Sequence, residues 1–118
     1  MCSNNALPNK IWSPAQFRSV LTRFTQLGLE VHLTEFDVVP TDPVVVGATD
    51  PARALADIYT GVIRVCLEFA ACKCVSTWGF TDAYNRWGTD GNTFYYDTNY
   101  IPKLPRTLVA QLLASTHN

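Results

Sequence analysis

The chain has 118 residues, 47% of them hydrophobic and 16% charged, with nine basic against ten acidic side chains. That length supports one domain around one modest core, and the balanced charge, with a pI near 6.0, excludes a nucleic-acid or membrane partner held by charge. No apolar run approaches the ~20 residues of a membrane-crossing helix, and Met1 to Pro14 holds no apolar stretch of the kind a secretory leader carries.

Residues 1–12 are polar, with Pro8 and three asparagines, and read as a loop. A helix follows: Ser13 suits the N-cap, Pro14 the first turn, and Gln16 completes a capping box. Phe17, Val20, Leu21, Phe24 and Leu27 fall on one face, and Gly28 stands where a left-handed cap belongs. Leu29 to Val39, rich in Val, Leu and Phe between Gly28 and Pro40, predicts a strand. After a loop with Pro43 and Gly47, a second helix opens at Asp50-Pro51. It presents Leu55, Ile58, Tyr59, Val62, Val65, Cys66 and Phe69 on one face, with Gly61 a weak point. Cys74 to Trp78 predicts a short strand ending at Gly79, 80–103 a long loop, and Pro105 to Ala114 a last helix with Leu108, Val109, Leu112 and Leu113 inward.

Strands alternating with helices imply the α/β class, with parallel pairing and a right-handed crossover. Two strands do not make a covered sheet, however. Each keeps an open edge, which invites pairing with another chain.

The four cysteines, Cys2, Cys66, Cys72 and Cys74, are too few for a disulfide scaffold. Cys72 and Cys74 form C-x-C, which matches neither a redox pair nor half of a common zinc site, and His32 and His117 lie far off in sequence. No metal or cofactor is expected. The residues leave open a single disulfide within Cys66, Cys72 and Cys74 or buried thiols.

Chemistry in α/β proteins gathers at the carboxyl ends of strands. Glu35 shares its strand parity with Val31 and Leu33, a costly place for a carboxylate unless it is paired, and Asp37 points the same way. An ion pair or a carboxylate capping backbone amides competes there with a catalytic role. His32 reads as a packed or solvent-facing strand residue with no cysteine or serine evidently set against it. Seven of the 14 aromatic residues fall between 80 and 100: Phe80, Tyr84, Trp87, Phe94, Tyr95, Tyr96 and Tyr100. Such rings suit stacking on sugars or an interface, and equally a small satellite core under the loop.

Three stretches carry a resemblance. Leu27-Gly-Leu-Glu-Val-His-Leu-Thr-Glu-Phe-Asp-Val38 resembles the strand-seven segment of glycoside hydrolase family 10, the endo-β-1,4-xylanases. Val75-Ser-Thr-Trp-Gly-Phe-Thr-Asp82 resembles its strand eight, and Tyr96-Asp-Thr-Asn-Tyr-Ile-Pro-Lys103 its closing motif. The resemblance runs in order from about residue 13 to the C-terminus. It implies a (β/α)8 TIM barrel, of which this chain is the C-terminal portion: strands seven and eight with helices six to eight, one partial catalytic domain over 1–118. Glu35 then matches the nucleophile of retaining xylan hydrolysis, and Asp37 a residue that orients a histidine on strand six. Trp78 and Trp87 match tryptophans of the sugar site, Trp87 through a one-residue insertion because Arg86 stands at the usual position. Fungal members carry a cysteine pair six apart before strand eight, which favours a Cys66–Cys72 disulfide with Cys74 free. Extracellular localisation follows from the same resemblance.

Retaining hydrolysis needs two carboxyl groups about 5–5.5 Å apart, one of them an acid/base. The family draws that acid/base from strand four, and this chain is expected to start after strand six. Glu30 lies too early in its strand and Glu68 on a helix. Asp82, beside a neighbouring strand end, is the one substitute. The expectation is a xylanase-type chain that carries the nucleophile and is inactive alone. The alternatives are a barrel remnant that binds xylan without cleaving it and one that self-associates through its open edges.

Overall fold

Residues 13–39, 41–85 and 92–116 are described by the computed structural model of the chain. Helix α1 (Pro14–Gln26) starts where its cap predicts, with the Ser13 hydroxyl accepting from the Gln16 amide at 3.4 Å. It ends before Gly28, whose φ of 72° is a conformation that costs glycine little. Its apolar face is covered in part: Leu21 is buried and Phe17 packs on the core, while Val20, Phe24 and Leu27 are exposed.

Strands β1 (Val31–Phe36) and β2 (Cys72–Thr77) pair in parallel, β2 starting two residues earlier than its sequence suggests. Between them, α2 (Pro43–Val46) interrupts the expected loop; the Asp42 carboxylate caps it by accepting from the Val44 amide at 2.9 Å. Helix α3 (Pro51–Leu67), capped by Asp50, is the crossover that parallel pairing requires. Leu55, Ile58, Tyr59, Val62, Val65 and Cys66 are all buried along it, as their spacing predicts.

Helix α4 (Leu104–Ser115) lies against α3 and buries Val109, with Leu112 partly covered. Leu113, expected inward, is exposed. Among the described elements α4 has one main neighbour, α3, so an apolar stripe wider than that contact stays bare.

The core lies on the helix side of the sheet, where Leu33 and Val75 pack against it. His32, Thr34, Cys74 and Ser76 are exposed, with no layer over them among the described residues. His32 pairs in register with Cys74, so the histidine does have a cysteine beside it, which the sequence separation of the two hides. The disulfide joins Cys66 to Cys72, closing the turn from α3 into β2, and Cys74 is free and exposed. The expected loop over 1–12 lies outside the described residues.

Candidate active site

The two strands end side by side: the Trp78 amide donates to the Phe36 carbonyl at 3.1 Å. This places Glu35 and Trp78 at adjoining carboxyl ends of a parallel sheet. Glu35 is the last exposed residue before a buried run over 36–39. Trp78 is 52% exposed, a ring face left open to solvent.

Strict alternation does not govern this strand. Leu33 pairs with Val75 and Phe36 with Thr77, so three steps on β1 oppose two on β2. The bulge lets Leu33 and Phe36, of opposite parity, both pack on the helix side. Glu35 is thereby turned to solvent and Asp37 is buried, 6% exposed. The expectation that Glu35 lies among buried aliphatics is corrected: it is exposed, while Leu33 packs on the core. Glu35 makes no hydrogen bond or ion pair among the described residues, whereas Asp37 lies close enough to Tyr59 for its charge to act on that phenol.

Tyr59 organises the floor beneath. Its ring meets Phe36 edge-on at 5.1 Å and Tyr95 at 4.8 Å, and its hydroxyl donates to the Thr93 carbonyl at 2.7 Å. Burial, chiefly, pushes the Tyr59 phenol well above its ordinary pKa, with the charges of Asp37 and Asp82 adding to the shift; burial alone pushes Tyr95 up to about 12.

Asp82 is not a second acid. One oxygen accepts from the Thr93 and Phe94 amides at 3.0 and 2.8 Å, and the other from the Lys103 ammonium at 2.6 Å. Both oxygens are engaged inward, so neither is presented to a substrate beside Glu35. The notion of Asp82 as substitute acid is corrected on that ground. Lys103, Thr93 and Phe94 were not assigned from sequence; Lys103 stands in the closing motif but 21 residues from its partner, and no local pattern reveals the pair.

The aromatic residues divide. Phe94 is buried and Tyr95 packs on the core, so part of the group is the satellite core weighed above. Trp78, Phe80, Tyr84 and Tyr100 remain exposed. Trp87 lies outside the described residues. No group of three or more His, Cys, Asp or Glu among the described residues is placed to hold a metal ion.

A parallel α/β pair with a carboxylate and an open tryptophan at its carboxyl ends has the layout of an α/β enzyme site. The profile of Glycosyl hydrolase family 10 matches residues 3–112, and the chain belongs to that family. It is similar to endo-1,4-beta-xylanase 5 of Pyricularia oryzae, 38% identical over 109 residues, covering 87% of this chain and 26% of the relative. It is also similar to endo-1,4-beta-xylanase 1 of Humicola insolens, 33% identical over 104 residues, covering 84% and 24%. Among solved structures, xylanase 10B of Thermotoga petrophila RKU-1 in complex with xylobiose superposes with a TM-score of 0.77 at 31% identity, covering 91% of this chain and 33% of that one. Native xylanase 10B of Thermotoga maritima gives 0.75 at 29% identity, covering 89% and 33%. The chain thus spans about a quarter of the length of these curated relatives and a third of the structures.

Proposed function

We propose that this chain forms the C-terminal part of a (β/α)8 endo-1,4-β-xylanase barrel and carries its nucleophile, Glu35. The observation that carries this is the exposed Glu35 carboxylate at the carboxyl end of β1, beside Trp78, in a chain matched by the family profile over 3–112. Its partner is xylan or a xylo-oligosaccharide. Glu35 attacks the anomeric carbon, the sugar–oxygen bond to the leaving chain breaks, and water later releases the glycosyl group from the carboxylate. Trp78 stacks against the sugar, and Asp37 orients a neighbour from beneath. An extracellular setting follows from the substrate, a polymer too large to enter a cell.

The leaving oxygen needs a proton, and the described residues supply no free acid beside Glu35: Asp37 is buried and Asp82 is engaged by Lys103. The 118-residue chain alone therefore does not hydrolyse xylan, and any binding of xylo-oligosaccharides rests on the open face of Trp78. Calorimetry and a reducing-sugar assay test both halves. Binding with no sugar release is expected; release that vanishes in Glu35→Ala would overturn the inactivity. A chimera carrying residues 13–116 in place of the matching third of the Thermotoga petrophila xylanase tests the nucleophile. It is expected to be trapped at Glu35 by a 2-fluoro-xyloside, and labelling elsewhere sinks that assignment.

A second reading has one observation behind it: the described sheet has two strands, each with an open edge. Self-association through those edges predicts an assembly larger than 13.1 kDa. A clean monomer in light scattering excludes it.

A further inference from the structure

Phe80, Tyr84 and Tyr100 stand out from the other aromatic residues of the loops by their exposure, 56%, 81% and 50%. Their rings are nonetheless gathered. Phe80 lies 6.2 Å from Tyr100 and 6.0 Å from Tyr96, centroid to centroid, and the Tyr84 phenol lies near enough to that of Tyr100 to raise its pKa.

The backbone beneath them is built to hold that arrangement. Thr81 bridges to Tyr96, and its hydroxyl donates to the Asp97 carbonyl at 2.7 Å. The Asp97 carboxylate accepts from the Asn99 and Ile101 amides at 2.8 and 2.9 Å. Within this turn Tyr100 adopts φ 63°, and it is the one non-glycine residue with positive φ among those described. Asparagine or glycine would fill that conformation with less strain. A tyrosine there, half open to water, gains little from burial in return. Among the described residues the turn leaves the ring against Phe80 and half open to water.

We propose that Phe80, Tyr84 and Tyr100 form a second carbohydrate platform, one that takes a neutral stretch of β-1,4-xylan beyond the sugar held at Trp78. The proposal rests on the xylan reading of the Glu35–Trp78 site and extends it. Phe80 follows Trp78 by two residues, so the new platform is continuous with that site along the exit of β2. The C–H face of a pyranose stacks on such rings while its hydroxyls meet the phenol oxygens. No charged group takes part in the ring contacts, and the Asp97 carboxylate is turned into its own loop. A neutral polymer is thus the matching ligand.

The test compares xylobiose, short enough for one platform, with xylohexaose, by NMR titration of the 118-residue chain and of Phe80→Ala, Tyr100→Asn and Trp78→Ala. Asparagine tolerates the left-handed turn, and unmoved Asn99 and Ile101 amides will report that the turn survives. Phe80→Ala and Tyr100→Asn are each expected to weaken xylohexaose about threefold to tenfold while leaving xylobiose unchanged. Trp78→Ala should weaken both. Unaltered xylohexaose affinity in the two platform variants overturns the platform and leaves the Trp78 site standing. No binding of either sugar by the parent chain overturns both. Variants that shift a dimer to monomer without changing sugar affinity would show a surface for a second copy, and the proposal fails.

Discussion

The Lys103 ammonium and the Asp82 carboxylate meet at 2.6 Å with side chains only 17% and 7% exposed. The pair ties the exit of β2 to the start of α4, and the second Asp82 oxygen holds the Thr93 and Phe94 amides. Removing one partner leaves a buried charge without its counter-ion. Asp82→Ala should cost about 3 kcal/mol in urea unfolding, a large share of a small domain's stability. Asp82→Asn, which keeps an acceptor for the two amides, should cost less. In a double-mutant cycle Lys103→Met should add little on top of Asp82→Ala, because the two act as one unit. Additive losses would show that the pair is not coupled.

The Cys66–Cys72 disulfide closes a short segment, six residues apart. In the chain-entropy account, a loop that small restrains the unfolded chain by about 2 kcal/mol. Cys66→Ser combined with Cys72→Ser should lower the unfolding free energy in urea by about that amount without abolishing folding. Alkylation without reductant should label Cys74 and spare Cys66 and Cys72, as mass mapping will show.

A buried phenol, Tyr59, and a half-buried one, Tyr95, make alkaline stability pH-dependent. An unfolded tyrosine releases its proton near pH 10, whereas burial raises Tyr95 to about 12 and Tyr59 well beyond its ordinary value. Above pH 10 the unfolded chain is therefore the state that has lost protons, and deprotonation favours it. Stability from this source is complete below about pH 10 and falls as pH rises through 10 to 12. Tyr59, raised in the same direction, adds to that loss. Urea midpoints at pH 8, 10 and 11 check the slope. Tyr59→Phe should flatten it while costing about 1–3 kcal/mol at pH 8, because the Thr93 carbonyl loses its donor.

Local chemistry made much of this fold legible. Ser13, Asp50 and Gly28 act as their caps and turn predict, and six of the seven residues expected on the apolar face of α3 are buried; Phe69, the seventh, lies past the helix end and is half-buried. What sequence cannot reach is set by contacts distant along the chain. The bulge between Leu33 and Phe36 exists only as a register between β1 and β2. The engagement of Asp82 depends on Lys103, and the partnership of His32 with Cys74 depends on strand pairing. The bare parts of the α1 and α4 stripes have a further cause: amphipathic spacing marks a face that wants cover, not how much cover the neighbours supply.

Glu35 is a residue whose removal should leave the fold untouched. It is exposed, and nothing among the described residues pairs with it. Glu35→Gln should change unfolding stability by less than about 0.5 kcal/mol, as surface substitutions do. A loss of several times that size would mean that the carboxylate is structural. Stability retained here, set against a chimera inactivated by the same substitution, separates a chemical role from a packing one.

Gly79 connects the packing floor at Phe94 to Trp78. A β-carbon added there would lie 3.0 and 3.1 Å from two ring atoms of Phe94, which is 2% exposed and held at its amide by Asp82. Phe94 has little room to yield, so Gly79→Ala should cost about 1–3 kcal/mol through overpacking. The strain enters the chain next to Trp78. The same substitution should therefore disturb Trp78: its indole NH signal should shift and xylobiose affinity should fall with it. Phe94→Leu on the Gly79→Ala background removes the clash and should recover part of both losses. Should the double variant recover stability but not affinity, the link from Asp82 through Phe94 to Trp78 is broken, and Gly79 matters to the sugar site for another reason.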